Sequence, residues 1–185
     1  GTYGKTTSSS ILTWVLKENG FDPSYMFGGI SLNDMPAASL GGNPPRKNPA
    51  GSRGNYSVIE GDEYKSARWD NGPKFAHYSP THLLLTSVVW DHADVYPTEQ
   101  SYVDAFANLL KNIPEKGLVV LSAKVTHERP ELIKLIKPNV VTYGRTEDND
   151  YQYSNPIQTK DGIEFEIKIQ NSKFKIKAQA LGAYM

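Results

Sequence analysis

The sequence predicts an α/β fold: a mostly parallel sheet flanked by helices, with a small antiparallel hairpin region near the C-terminus. Three observations predict it. Apolar runs of strand length alternate with helical patterns between Tyr56 and Tyr143, the alternation that builds parallel sheets. Within that stretch, Leu83-Leu84-Leu85-Thr86-Ser87-Val88-Val89 is almost continuously apolar, as expected of a strand covered on both faces. After Gly144 the character changes. Ile163 to Ile169 and Phe174 to Ala178 alternate apolar and polar residues strictly, the pattern of antiparallel strands with one wet face.

Taken in order, Thr7 to Asn19 carries Ile11, Leu12, Val15 and Leu16 at helical spacing, and Gly20 stops the helix. Tyr25 to Ile30 suits a short strand, and Ser31 to Asn55, with the run Asn43-Pro44-Pro45-Arg46-Lys47-Asn48-Pro49, reads as a long loop. Tyr56-Ser57-Val58-Ile59 is a buried-strand candidate ending in Glu60-Gly61-Asp62-Glu63. The apolar run from Leu83 leads into Trp90-Asp91-His92-Ala93-Asp94. Glu99 to Asn112 is an amphipathic helix with Tyr102, Val103, Phe106, Leu109 and Leu110 on one face. Leu118 to Leu121 is a strand, Pro130 to Ile136 a short helix, and Asn139 to Tyr143 the next strand. The final hairpin turns through Gln170-Asn171-Ser172-Lys173.

The 185 residues suit one domain with a real core. Lysine and arginine balance aspartate and glutamate at 20 each. No basic stripe supplies the phosphate-backbone attraction that nucleic-acid binding needs. The chain has no cysteine, which excludes disulfides, thiol nucleophiles and Cys-ligated zinc. No apolar run reaches membrane-spanning length.

Three clusters sit where an open α/β sheet places its ligand, at the carboxyl ends of strands. The first is Gly1-Thr2-Tyr3-Gly4-Lys5-Thr6-Thr7 at the head of the first helix. Glycines let backbone N–H groups face phosphates, the lysine reaches terminal phosphates, and the hydroxyl after it can hold Mg²⁺. The helix dipole points its positive end at the same anion. This makes the expected fold P-loop NTPase-like, with Thr2, Gly4, Lys5, Thr6 and Thr7 as nucleotide-binding residues. Such a loop normally follows a buried strand, and the first glycine of G-x-x-x-x-G-K-[ST] would precede Gly1. The chain is therefore expected to be a piece of a longer protein, lacking its first strand.

The second cluster is Glu60 with Asp62 and Glu63. Acidic residues at strand ends are often simply solvated. With a phosphate loop expected in the same sheet, Glu60 is the candidate Mg²⁺ carboxylate, since that hard ion prefers oxygen ligands. The third is Asp91-His92-Ala93-Asp94, where His92 could bind metal, contact phosphate or cap a turn. His77, His82 and His127 default to surface or packing roles. No G-x-S-x-G or H-E-x-x-H pattern appears.

The loop, then Glu60-Gly61-Asp62-Glu63-Tyr64, then Asp91-His92-Ala93-Asp94, in this order, resembles the central ATP-binding domain of the Mur ligase family, and the resemblance covers residues 1–185. Pro73-Lys74-Phe75-x-His77-Tyr78-x-Pro80 and Val95-Tyr96-Pro97 extend it to the branch acting on UDP-N-acetylmuramate. The resemblance implies an ATP- and Mg²⁺-dependent cytoplasmic ligase of cell-wall biogenesis, on which cell shape and division depend. Its implied acceptor is the recycled tripeptide L-alanyl-γ-D-glutamyl-meso-diaminopimelate, or L-alanine in a sister branch, joined through an acyl phosphate. It gives Lys5 to the β- and γ-phosphates, Thr6 and Glu60 to one Mg²⁺, and His92 to a second. Lys5, Glu60 and His92 thereby become the expected catalytic residues. It also implies a UDP-binding domain before this chain and an amine-binding domain after it. Tyr3, Lys65 and Ser87 depart from the branch's usual histidine, acidic residue and asparagine. Ala105, Phe106 and Ala107 fit a branch without the carbamylated lysine of other Mur ligases.

Overall fold

A computed structural model describes residues 3–31, 33–41 and 56–179. The chain divides into two compact units, one of Gly4–Asp62 and one of Gly1–Tyr3 with Glu63–Met185.

In the smaller unit, helix α1 (Lys5–Glu18) accompanies strands β1 (Ser24–Met26), β2 (Ala38–Ser39) and β3 (Ser57–Ile59). The three strands form one sheet in the order β2-β1-β3. β1 runs antiparallel to β2 and parallel to β3, with Tyr25 opposite Val58. Among the described residues, Tyr25, Phe27 and Val58 are its buried apolar residues, with Leu16 and Met35 packed against them. Tyr25 and Phe27 stack with ring centroids 5.5 Å apart.

The face that α1 covers differs from the sequence expectation. Ile11, Leu12 and Val15 are exposed, whereas Thr13 is fully buried. The covered stripe is Thr6, Ser9, Thr13, Leu16 and Gly20. It keeps helical periodicity, but apart from Leu16 it is built of small or polar residues. Thr13 satisfies its hydroxyl by donating to the Ser9 carbonyl at 2.8 Å, a bond within the helix that removes the cost of burying it. The strand expected over Tyr25 to Ile30 ends at Met26, where Gly28-Gly29 breaks it. The loop expected over Ser31 to Asn55 holds β2, and the run from Asn43 to Pro49 lies outside the described residues.

The larger unit is organised around a six-stranded sheet. Its strands are β6 (His82–Leu85), β7 (Leu118–Ser122), β8 (Asn139–Gly144), β9 (Tyr151–Thr159), β10 (Gly162–Ile169) and β11 (Ser172–Ala178). They lie in the order β11-β10-β9-β8-β7-β6. From β6 to β9 the pairs are parallel, and from β9 to β11 antiparallel. A hairpin of β4 (Lys65–Ala67) and β5 (Asp70–Pro73) leads into a 3₁₀ turn at Lys74–His77. The helices are α2 (Glu99–Lys111), α3 (Ala123–Glu128) and α4 (Pro130–Ile133).

Helix α2 follows its sequence pattern closely. Thr98 caps it, accepting from the Ser101 N–H at 3.1 Å while Ser101 closes the reciprocal bond, a capping box worth about 1 kcal/mol. Tyr102, Val103, Phe106, Leu109 and Leu110 are all buried, packed with Phe75, Leu85, Val119 and Leu121 in one core. Burying each large side chain contributes about 1.5–3 kcal/mol. Phe106 touches both Phe75 and Tyr102, at centroid distances of 5.1 and 5.0 Å.

The single sheet expected to carry both Glu60 and the run from Leu83 is two sheets here: β3 belongs to the three-stranded sheet and β6 to the six-stranded one. β6 also ends at Leu85 rather than Val89. At Thr86 the ladder gives way to a side chain, because the Ser122 hydroxyl donates to the Thr86 carbonyl at 2.7 Å. Ser87 and Val88 stay buried without strand pairing.

Candidate functional site

Gly4 takes the left-handed conformation (φ 78°) and turns the chain into α1, a geometry that favours glycine because no Cβ clashes there. Its carbonyl accepts the Ser8 N–H at 2.9 Å, closing the first helical turn. The helix has no side-chain cap and no acidic residue in its first turn, so its positive dipole end is not neutralised from within. Lys5, Thr6 and Thr7 form that turn. Gly1 and Thr2, expected to contribute to the same loop, lie outside the described residues.

The structure brings Thr6 and Glu60 together. Glu60 continues the β3 ladder, its N–H donating to the Met26 carbonyl at 2.9 Å. The Thr6 hydroxyl donates to Glu60 Oε1 at 3.1 Å, and the Gly28 N–H donates to Oε2 at 2.7 Å. Both carboxylate oxygens are thus tethered. Mg²⁺ demands octahedral oxygens at about 2.0–2.1 Å, which puts neighbouring ligand oxygens about 3 Å apart. The Thr6–Glu60 separation of 3.1 Å meets that spacing, and both donors are hard oxygens. Among the described residues no group of three or more His, Asp or Glu gathers as a protein-only metal centre. The donor set suits an ion completed by phosphate and water rather than by protein alone.

The larger unit holds His92. Its backbone is left-handed (φ 57°), costly for a side chain of this size. Local bonds hold it there. Its N–H donates to Asp91 Oδ1 at 2.7 Å, and its carbonyl accepts from the Val95 and Tyr96 N–H groups, each at 2.8 Å. The imidazole meets the Tyr64 ring edge-on at 5.2 Å, and Nε2 lies 3.8 Å from Glu63 Oε1. Glu63 is 0% exposed, so it is not one of the solvated acids that usually end a strand. Its carbonyl accepts the Tyr96 hydroxyl at 2.6 Å, tying it to the Asp91–Pro97 segment. The Tyr64 hydroxyl donates to Asp94 at 2.7 Å. That bond holds the Asp94 carboxyl below its ordinary range and, with the nearby negative charge, pushes the Tyr64 phenol up.

The remaining histidines sit on the surface. His77 bonds the Asp70 carboxylate at 2.8 Å, His82 bonds Thr81 at 2.9 Å, and His127 is exposed. Sequence reasoning missed two contributors. Gly28-Gly29 supplies the amide on Glu60 and lies against Thr6. The signal for it was the glycine pair itself, breaking an apolar strand pattern. Glu63 reads in sequence as part of one acidic run with Asp62, and its burial depends on tertiary packing that no local pattern reveals.

A model of the Mur ligase middle domain matches residues 1–185. UDP-N-acetylmuramate–L-alanyl-γ-D-glutamyl-meso-2,6-diaminoheptandioate ligase of Haemophilus influenzae is 38% identical over 123 residues, which are 66% of this chain and 25% of that protein. UDP-N-acetylmuramate–L-alanine ligase of Dictyoglomus turgidum is 29% identical over the whole chain, covering 36% of its own length. The crystal structure of the corresponding tripeptide ligase from Neisseria meningitides superposes with a TM-score of 0.81 at 31% identity, over 98% of this chain and 54% of that one. The chain therefore spans about a quarter to a half of these proteins. A match running from the first residue to the last, together with a left-handed glycine turn feeding a helix whose threonine meets Glu60, leads to one conclusion: the chain belongs to the Mur ligase family, by its middle domain.

Proposed function

We propose that the protein containing this chain is an ATP-dependent ligase. It joins UDP-N-acetylmuramate to the tripeptide L-alanyl-γ-D-glutamyl-meso-diaminopimelate, with this chain as its nucleotide-handling domain. The Thr6–Glu60 bond at the head of α1 carries the reading, and the 38% identity to the Haemophilus tripeptide ligase supports the choice of acceptor. The γ-phosphoryl group of ATP passes to the muramoyl carboxylate, ADP leaves, and an acyl phosphate forms. The peptide's neutral amine then attacks the carbonyl carbon, phosphate leaves, and the surplus proton goes to solvent. A carboxylate is a poor electrophile until one oxygen becomes a leaving group, which is why nucleotide must be spent.

In this reading the backbone turn at Gly4 and the dipole of α1 hold the phosphates, and Lys5 neutralises their terminal charge. Thr6 and Glu60 hold one Mg²⁺, and His92 serves a second. Bound Mg²⁺ neutralises charge on the transferring group and holds anions together against repulsion. Flanking domains would bind the UDP moiety and the incoming amine. The site belongs to the cytoplasm, where ATP and the nucleotide-linked precursor meet.

The test is ADP release by the full-length protein with UDP-N-acetylmuramate and ATP, with tripeptide or L-alanine as acceptor. Tripeptide-dependent release is expected. Release only with L-alanine would transfer the assignment to the sister reaction, whose Dictyoglomus representative matches the whole chain. Nucleotide binding without turnover under any acceptor would reduce the chain to a binding module.

A further inference from the structure

The Gly28-Gly29 pair lies between the phosphate loop and Glu60 in sequence. It touches both oxygen donors of the loop site. Gly28 gives its N–H to Glu60 Oε2 at 2.7 Å, so the carboxylate can turn only Oε1 toward Thr6. A Cβ at Gly28 would lie 3.6 Å from the nearest carboxylate oxygen, an ordinary contact. At Gly29 a Cβ would lie 2.7 Å from Thr6 Cγ2, too close to stand, with nothing else within 4 Å. Neither glycine has a positive φ, so their identity is not demanded by backbone conformation. At Gly29 the demand comes from the Thr6 methyl.

A turn of Thr6 about χ1 would relieve such a contact. Thr6 is β-branched and lies in a helix, where χ1 has only two good wells. Rotating χ1 moves the methyl away from position 29 and, by the same motion, swings Oγ1 off Glu60. The clash would cost the fold little and the site a great deal.

We infer that Gly29 is a positioning residue for the cation-binding oxygens. Its missing side chain locks the Thr6 rotamer that aims Oγ1 at Glu60, while the Gly28 amide fixes the carboxylate from its other side. The inference rests on the loop's assignment to Mg²⁺-nucleotide, but its first consequence can be read without any ligand. In the ligand-free chain, three-bond couplings to the Thr6 methyl carbon report χ1. Gly29→Ala is expected to shift them to the second rotamer with an unchanged thermal midpoint.

With nucleotide present, Gly29→Ala is expected to weaken Mg²⁺-dependent binding of ATP about 10–100-fold, as loss of a ligand's supporting contact does. Binding measured in EDTA should be untouched. Thr6→Ser keeps the hydroxyl and deletes Cγ2, so the double variant Thr6→Ser with Gly29→Ala should bind like Thr6→Ser alone. An unchanged Thr6 rotamer in Gly29→Ala would overturn the inference. So would a collapse of its thermal midpoint, or an equal loss of binding with and without the Thr6 methyl. If the unaltered chain binds no Mg²⁺-nucleotide while the couplings still shift, the loop's assignment fails and the steric lock stands.

Discussion

The two units hold their chain together in different ways. The larger one has a broad apolar core, in which α2 lays five large side chains on β6 and β7 and aromatic rings run from Phe75 through Phe106 and Tyr102 to Tyr96. Among its described residues, the smaller one buries three apolar side chains, Tyr25, Phe27 and Val58. Its helix faces inward with threonine and serine, and a carboxylate tethers strand end, glycine turn and helix start. The difference fits the phosphate loop proposed at the head of α1. Small residues let helix, turn and strand end approach closely, and the polar contacts that position ligand oxygens occupy volume that apolar packing would otherwise use.

That contrast is open to direct attack. Phe106→Ala should cost about 3–5 kcal/mol, the range for a large side chain removed from a packed core. Phe27→Ala should fall at the low end, about 3 kcal/mol, because the thin cluster around it can relax into the space. Urea unfolding followed separately by probes in each unit measures both. Equal costs would mean that the smaller unit packs as rigidly as the larger.

The next test concerns strain within the larger unit. His92→Gly removes a side chain from a left-handed position. Relief of about 1 kcal/mol should nearly cancel the added freedom of the unfolded chain. Stability should change little, while the tripeptide-dependent ADP release proposed for the full-length protein disappears. A large loss of stability with activity retained would make His92 a packing residue.

The smallest effect is expected on the antiparallel strands. Lys177, and then Lys175, hold the Glu164 carboxyl below its ordinary range, at 3.1 and 3.2 Å. A depressed carboxylate stabilises the folded state above the ordinary carboxylate range, and that contribution fades as pH falls through its folded pKa. Glu164→Gln should therefore leave the neutral-pH melting temperature within error, since exposed pairs contribute little. It should slightly flatten the fall in stability on acidification below the ordinary carboxylate range. A clear loss at neutral pH would show that the pair works as a network.

What was legible in the sequence follows from where each element gets its order. Helix α2 was readable residue by residue, because its stripe, cap and stop are local. β7, β8 and the β10–β11 hairpin were readable from apolar runs or alternation. β9 was not: Tyr151–Thr159 has no sustained alternation and contains Pro156, with Asn155 left-handed. It exists because β8 and β10 pair with it on either side. The β4–β5 hairpin turns at Arg68-Trp69, without the glycine or asparagine that announces a turn. At the loop site, Lys5, Thr6 and Glu60 were legible as chemical types. The Thr6–Glu60 bond belongs to one three-dimensional unit, and Gly28-Gly29 acts by backbone amide and empty space, which leave little trace in a motif. The inward face of α1 departs from its apolar spacing because the covered positions carry mostly small polar residues, Thr6, Ser9 and Thr13, while Ile11, Leu12 and Val15 stay exposed.

The switch of pairing at β9 has a kinetic consequence. On one side of it, β9, β10 and β11 meet through turns at residues 160–161 and 170–171. On the other, β8 reaches β9 through residues 145–150, but the β6–β7 and β7–β8 pairings must wait for crossover segments that carry α2 and then α3 and α4. Hairpins close in about 1–10 μs, whereas pairings distant in sequence first bear the entropy of a long loop. The meander is thus the natural early-forming piece of the larger unit. β9, whose own sequence scarcely declares it a strand, becomes the edge against which the parallel strands later assemble.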